Sequence, residues 1–124
     1  MPLTAVRPGF DPAPMRLYTM DAWVHDPSAL VDHEGLRTLL HAAAKAGGAQ
    51  VVGEAFHVFP NGAVTGALLL AQSHLTVHTW PEHGLLNVDL LSCGPVDGGA
   101  VFALIREGLG TRRARVSRVA RGDG

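Results

Sequence analysis

Alternation of apolar and polar residues divides this chain into short elements. From Ser73 to Trp80 the order Ser-His-Leu-Thr-Val-His-Thr-Trp puts Leu75, Val77 and Thr79 on one face and His74, Thr76 and His78 on the other, the period of a half-buried strand. Upstream, Gln50 to Phe59 and Ala63 to Ala71 are rich in Val, Leu and Phe. They flank Pro60-Asn61-Gly62, whose Asn-Gly pair predicts a hairpin. Downstream, Pro81-Glu82-His83-Gly84 predicts a turn, and Leu85 to Ser92 a strand ending at Cys93-Gly94-Pro95. Two stretches change period. Leu30, Leu36, Leu39, Leu40 and Ala43 recur at helical spacing between Asp26-Pro27-Ser28 and Gly47-Gly48, with Gly35 a weak point. Val101, Leu104, Ile105 and Leu109 do the same in a helix running from about Val96 to Leu109, which Gly110 ends. A first strand is predicted over Arg16 to Val24. A short closing strand is predicted over Arg112 to Arg121, where Arg113 and Arg115 alternate with Ala114 and Val116.

The order strand, helix, three or four strands, helix, strand predicts an α+β fold, a two-layer α/β sandwich in which two helices cover one face of a largely antiparallel sheet. Met1 to Pro14 holds four prolines and no periodicity, so 1–14 reads as a flexible arm and 15–124 as a single domain. A sheet covered on one face leaves the other bare. In a chain of 124 residues the core is too small to tolerate that, which predicts a homodimer or a higher assembly.

Composition narrows the class. Lys and Arg number 10 against 11 Asp and Glu, a net charge of −1, so no nucleic-acid or anionic-membrane footprint is expected. A hydrophobic share of 47% with 17% charged residues excludes a disordered chain. The longest apolar run, Ala100 to Ile105, falls well short of the ~18 to 20 residues of a membrane span. The N-terminal stretch lacks the basic cluster and apolar segment of a signal peptide, so the expected setting is cytoplasmic. The single Cys93 cannot form an internal disulfide, which fits a reducing compartment. Seven histidines stand out, three of them (His74, His78, His83) close together.

Taken singly, the chemically capable residues have ordinary readings. Ser73 is a turn serine, Cys93 a small buried hydrophobe, and Phe59 and Trp80 core aromatics. His74 and His78 are roughly 13 Å apart on a strand, too far to share a metal ion. Arg112, Arg113, Arg115, Arg118 and Arg121 form a solvated or dimer-facing edge that discourages further strand pairing.

Taken together they are specific. The stretch Ser73-His74-Leu75-Thr76-Val77-His78-Thr79-Trp80-Pro81-Glu82, followed by Cys93-Gly94, resembles the signature of the prokaryotic S-adenosylmethionine decarboxylase proenzyme family, Glu-Ser-His-Leu-Thr-(Ile/Val)-His-Thr-Trp-Pro-Glu with a later Cys-Gly. A weaker likeness runs from Val24 to Leu109. The resemblance implies self-cleavage between Gln72 and Ser73 and a pyruvoyl group made from Ser73, with no metal and no pyridoxal phosphate. The residues are compatible with the chemistry that the resemblance implies: a serine that opens a strand after a strained turn can attack the preceding carbonyl. The ketone would then form a Schiff base with a substrate amine and act as an electron sink.

By the same resemblance, His78 is the proton acceptor of processing and Cys93 the proton donor of decarboxylation. An imidazole accepts a proton near neutral pH, and a thiol is mostly protonated there. Thr65 supplies a hydroxyl that assists processing, Phe59 stacks on adenine, and Glu82 accepts from the ribose hydroxyls. The implied partner is a small molecule, S-adenosylmethionine, decarboxylated for spermidine synthesis, and the implied assembly is a dimer of processed protomers. Two departures keep alternatives open. Gln72 stands where the family has Glu, which leaves room for a non-cleaving, non-enzymatic dimeric paralogue. Met15-Arg16-Leu17-Tyr18 stands where the family has Gly-x-His-Leu, which leaves a basic amino acid such as ornithine or arginine as the competing substrate.

Overall fold

A computed structural model describes residues 15–122. The residues assigned to an N-terminal arm, 1–14, lie outside that range. The chain runs β1 (Met15–Val24), α1 (His33–Ala46), β2 (Val51–Val58), β3 (Val64–Leu70), β4 (Ser73–Trp80), β5 (Leu85–Cys93), α2 (Gly98–Leu109) and β6 (Thr111–Arg121). Short 3-10 turns at Pro27–Leu30 and Pro81–His83 complete it.

The six strands form one sheet in the order β2-β3-β4-β5-β1-β6. Every neighbouring pair is antiparallel. The α+β two-layer reading is therefore correct, and the sheet is antiparallel throughout. Alternation decides which face is dry. Leu75, Val77 and Thr79 of β4 are buried, as are Val64, Leu68 and Leu70 of β3 and Leu86, Val88 and Leu90 of β5. Against them pack Leu36, Leu40, Ala43 and Ala44 of α1 and Val101, Phe102 and Ile105 of α2. A fully buried Leu contributes roughly 1.5–3 kcal/mol. This one-sided layer is thus the protein's main source of stability.

Caps set the helix bounds. The Asp32 carboxylate accepts from the Gly35 N–H at 3.0 Å, so α1 starts at His33. Leu30, expected in the helix, belongs instead to the 3-10 turn that Asp26-Pro27 opens. Gly35, a weak point by propensity, is what admits the cap, because a Cβ there would collide with the Asp32 carboxylate. Asp97 likewise caps α2 by accepting from the Ala100 N–H at 3.1 Å, which moves its start from Val96 to Gly98. Phe102, not singled out from the sequence, fills the α2 core position with its edge on Tyr18 at 5.8 Å, whereas Leu104 is half-buried. The closing strand is not short: β6 has 11 residues and pairs with β1 along its length. It forms one edge of the sheet, where Arg113 lies 3.9 Å above the Trp23 ring.

The opposite face carries Thr65 of β3, His74, Thr76 and His78 of β4, Asn87 and Asp89 of β5, and Asp21 of β1, neighbours by strand register. No helix covers it. Among the described residues no helix is long and apolar enough to cross a membrane.

Candidate functional site

The Gln72–Ser73 bond lies where a hairpin turn becomes a strand. Leu70 and Ser73 face each other across the β3–β4 ladder, so Ala71 and Gln72 form a two-residue turn. Among the described residues no non-glycine has a positive φ, so this turn lacks the left-handed strain expected from its chemistry. Juxtaposition supplies what strain does not. The Ser73 hydroxyl is buried without a hydrogen-bond partner, a state a native fold rarely keeps without reason. Beside it the Cys93 thiol, itself buried, donates to the Gln72 carbonyl oxygen at 3.5 Å. Cys93 ends β5, and its neighbour Ser92 is tied down by donating to the Val96 carbonyl at 3.0 Å. A cavity of about 190 Å³ opens here, lined by Gln50, Gln72, Ser73, Cys93, Pro95 and Val96 among others.

The other predicted residues gather at the far end of β4. Phe59 at the β2–β3 hairpin, His78 and Trp80 of β4, and Glu82 of the following turn line a cavity of about 490 Å³ with Pro60, Asn61 and Ala63. That is a volume typical of small-molecule sites. Its aromatic wall is continuous, with Phe59 to His78 at 5.8 Å and His78 to Trp80 at 4.4 Å between ring centres, and His57 packs on Phe59 from outside the cavity at 4.7 Å. Phe59 and Trp80, core aromatics by default, are 36% and 40% exposed, so both are free to meet a ligand. Asn61 donates to Glu82 at 3.5 Å while its own Oδ1 accepts from the Ala63 N–H at 3.0 Å, which orients the amide. Thr65 pairs with His78 in register, and its hydroxyl donates to the Val77 carbonyl at 3.4 Å.

One chain therefore does not unite its predicted site residues. Gln72, Ser73 and Cys93 stand at one end of β4; Thr65, Phe59, His78 and Glu82 stand at the other. Five residues of extended strand separate Ser73 from His78 by roughly 16–17 Å, and their positions alternate in opposite phase. Sequence reading missed Asn61 and Trp80 as cavity residues, and Asn87, which accepts from the Trp80 indole behind them. Register arithmetic alone finds Asn87, the β5 partner of His78.

Fold and site together define a two-layer α+β sandwich protein whose central strand opens on a serine with a buried, unpartnered hydroxyl. Residues 16–122 match the profile of the S-adenosylmethionine decarboxylase family. The chain belongs to that family. The S-adenosylmethionine decarboxylase proenzyme of Pseudomonas aeruginosa is 41% identical over 83 residues, 66% of this chain and 52% of that protein. The proenzyme of the same name from Anoxybacillus flavithermus is 34% identical over 104 residues, 84% of each chain. This chain's match thus spans about half the length of the Pseudomonas relative and most of the Anoxybacillus one. The crystal structure of the adenosylmethionine decarboxylase from Aquifex aeolicus superposes with a TM-score of 0.78 at 29% identity, covering 89% of this chain and 92% of that one.

Proposed function

We propose that this chain is a proenzyme that cleaves itself between Gln72 and Ser73 and then decarboxylates S-adenosylmethionine. The observation that carries the reading is the orphaned Ser73 hydroxyl next to the Gln72 carbonyl that Cys93 holds. Attack by Ser73 Oγ transfers the Gln72 acyl group from nitrogen to oxygen, giving an ester. Removal of the Ser73 Cα proton then breaks the Cβ–Oγ bond, frees Gln72 as a carboxylate and leaves dehydroalanine. Water hydrolyses its imine tautomer, releasing ammonia and leaving a ketone at the new N-terminus. The products are chains of 72 and 52 residues (124 − 72 = 52). Gln72 reacts through its backbone carbonyl, so an amide in place of the family's carboxylate does not bar the step.

Once formed, the pyruvoyl group supplies the electron sink that decarboxylation needs. Its surroundings fit it: the buried Ser73 hydroxyl and a thiol beside the bond to be cut. Cys93 is positioned to return a proton to the carbanion. Phe59 offers a face to adenine and Glu82, oriented by Asn61, accepts from ribose hydroxyls. An aromatic cavity with one carboxylate favours a nucleoside over ornithine or arginine.

His78 and Thr65 are assigned to processing, but of a second copy. The separation along β4 and the bare polar face support a homodimer in which the Thr65, Phe59, His78 and Glu82 cluster of one protomer attends Ser73 of its partner. The setting is cytoplasmic polyamine synthesis, where the product donates aminopropyl groups. Intact mass and carbon dioxide release from S-adenosylmethionine, ornithine and arginine, measured on one preparation, test this reading. Expected are two fragments, the smaller with a blocked N-terminus, and release from S-adenosylmethionine alone. A chain that stays whole, or turns over only a basic amino acid, overturns it.

A further inference from the structure

We infer that Asn87 is a positioning residue for His78, acting through the Trp80 indole. The inference rests on the proposed role of His78 as proton acceptor. Trp80 sits two residues after His78 on β4, on the same open face, and its ring centre is 4.4 Å from the imidazole. With Phe59 at 5.8 Å on another side, the imidazole stands between aromatic walls. Phe59 projects from a hairpin and Trp80 is 40% exposed, so neither wall is fixed by burial.

A relay across three strands fixes one of them. Asn87 faces His78 directly in the β4–β5 register, and Asp21 faces Asn87 in the β1–β5 register. The indole Nε1–H donates to Asn87 Oδ1 at 2.6 Å, and Asn87 Nδ2 donates to Asp21 Oδ1 at 2.8 Å. The amide orientation is set by its partners, because an indole only donates and a carboxylate only accepts. Every bond in the relay is thus matched, and the plane of Trp80 is tied to β1. Proton transfer depends steeply on placement; an ångström of misalignment costs up to about 100-fold. Asn87 lies on the uncovered face and belongs to no part of the apolar core, so its removal loosens the indole without unpacking the protein.

Self-cleavage is the clean readout, since it needs no substrate and so ignores any contact Trp80 makes with one. In the full-length chain, Asn87→Ala and Trp80→Phe each slow cleavage by about 10-fold, within the range that small misplacements produce. The double variant is no slower than either, because both break the same link. In a Trp23→Phe background Trp80 is the sole tryptophan, and Asn87→Ala collapses its near-ultraviolet circular dichroism while the unfolding midpoint stays near that of the parent. Cleavage at the parent rate in Asn87→Ala, beside an inactive His78→Asn, overturns the positioning role and leaves His78 its own. Parent-rate cleavage in His78→Asn overturns both. Additive losses in the double variant, or an unchanged Trp80 spectrum, also overturn the relay.

Discussion

The Cys93 thiol points at the Gln72 carbonyl oxygen from 3.5 Å, across the gap between the end of β5 and the β3–β4 turn. In the proposed self-cleavage that oxygen gains negative charge as Ser73 attacks, which would put the thiol in place to stabilise the developing oxyanion as well as to serve in the proposed protonation of a later carbanion. One neutral hydrogen bond contributes about 0.5–1.5 kcal/mol. Cys93→Ala should therefore slow self-cleavage roughly two- to ten-fold by time-resolved intact mass, and Cys93→Ser should recover part of the loss. An unchanged rate confines Cys93 to the decarboxylation step.

Complementation examines the shared site. Ser73→Ala alone and His78→Asn alone should remain whole. Coexpressed with separable tags, they should form mixed dimers in which the His78→Asn chain is cut by the His78 of its partner and the Ser73→Ala chain is not. The two cleavage products, read by mass, identify which chain was cut. If neither chain is cut in the mixed dimer, the composite site is removed.

Thr79 reports on the dry side of β4. It is fully buried, and its hydroxyl accepts from the Val64 N–H at 2.8 Å where the β3–β4 ladder has ended. Thr79→Val keeps the shape and strands a buried donor, a change that destabilises by about 1–3 kcal/mol. Urea unfolding should show a lower midpoint with an unchanged slope. A neutral result would mean the amide finds another acceptor.

A surface cluster gives the chain an acid-sensitive contact. Arg37 Nε donates to Glu54 Oε2 at 2.7 Å, and His41 Nε2 lies 2.6 Å from Oε1, joining α1 to the edge strand β2. The hydrogen bond from Arg37, then that from His41, holds the Glu54 carboxyl below its ordinary range. A depressed carboxyl stabilises the fold above the unfolded-state pKa and loses that contribution as pH falls through the folded value. The stability difference between the parent and Glu54→Gln should thus be present at neutral pH and shrink below the usual glutamate range. Solvent screening keeps it small. A difference constant down to strongly acidic pH assigns it to packing instead.

Much of this was legible in the sequence, and the gaps have physical causes. Strand β4 was readable because Leu75, Val77 and Thr79 are buried while His74, Thr76 and His78 are not, and the Asn61-Gly62 hairpin was readable from turn chemistry. The starts of both helices were set by Asp32 and Asp97, whose caps outweigh the apolar spacing that placed Leu30 and Val96 inside. The bounds of β6 were readable to within one residue of its start, whereas its full-length pairing with β1 is a matter of register that alternation does not show. The candidate residues could be named from the sequence, but their placement relative to one another could not. Ser73 through Glu82 are contiguous in the chain, yet an extended strand pulls Ser73 and His78 to opposite ends. Asn87 carries no motif of its own; only the register that sets it across from His78 gives it a role.

The sheet order has a consequence for the proposed cleaved protein. A cut before Ser73 divides the chain into a piece holding β1, α1, β2 and β3 and another holding β4, β5, α2 and β6. Yet β1 is seated between β5 and β6. Each fragment grips the other at two separate places, β3 on β4 and β1 in its slot, so severing the backbone releases nothing while the fold lasts. Once unfolded, however, the halves must find each other by diffusion, and recovery becomes dependent on concentration. Maturation would thereby turn a single-chain folder into an interlocked pair whose persistence rests on how slowly it comes apart.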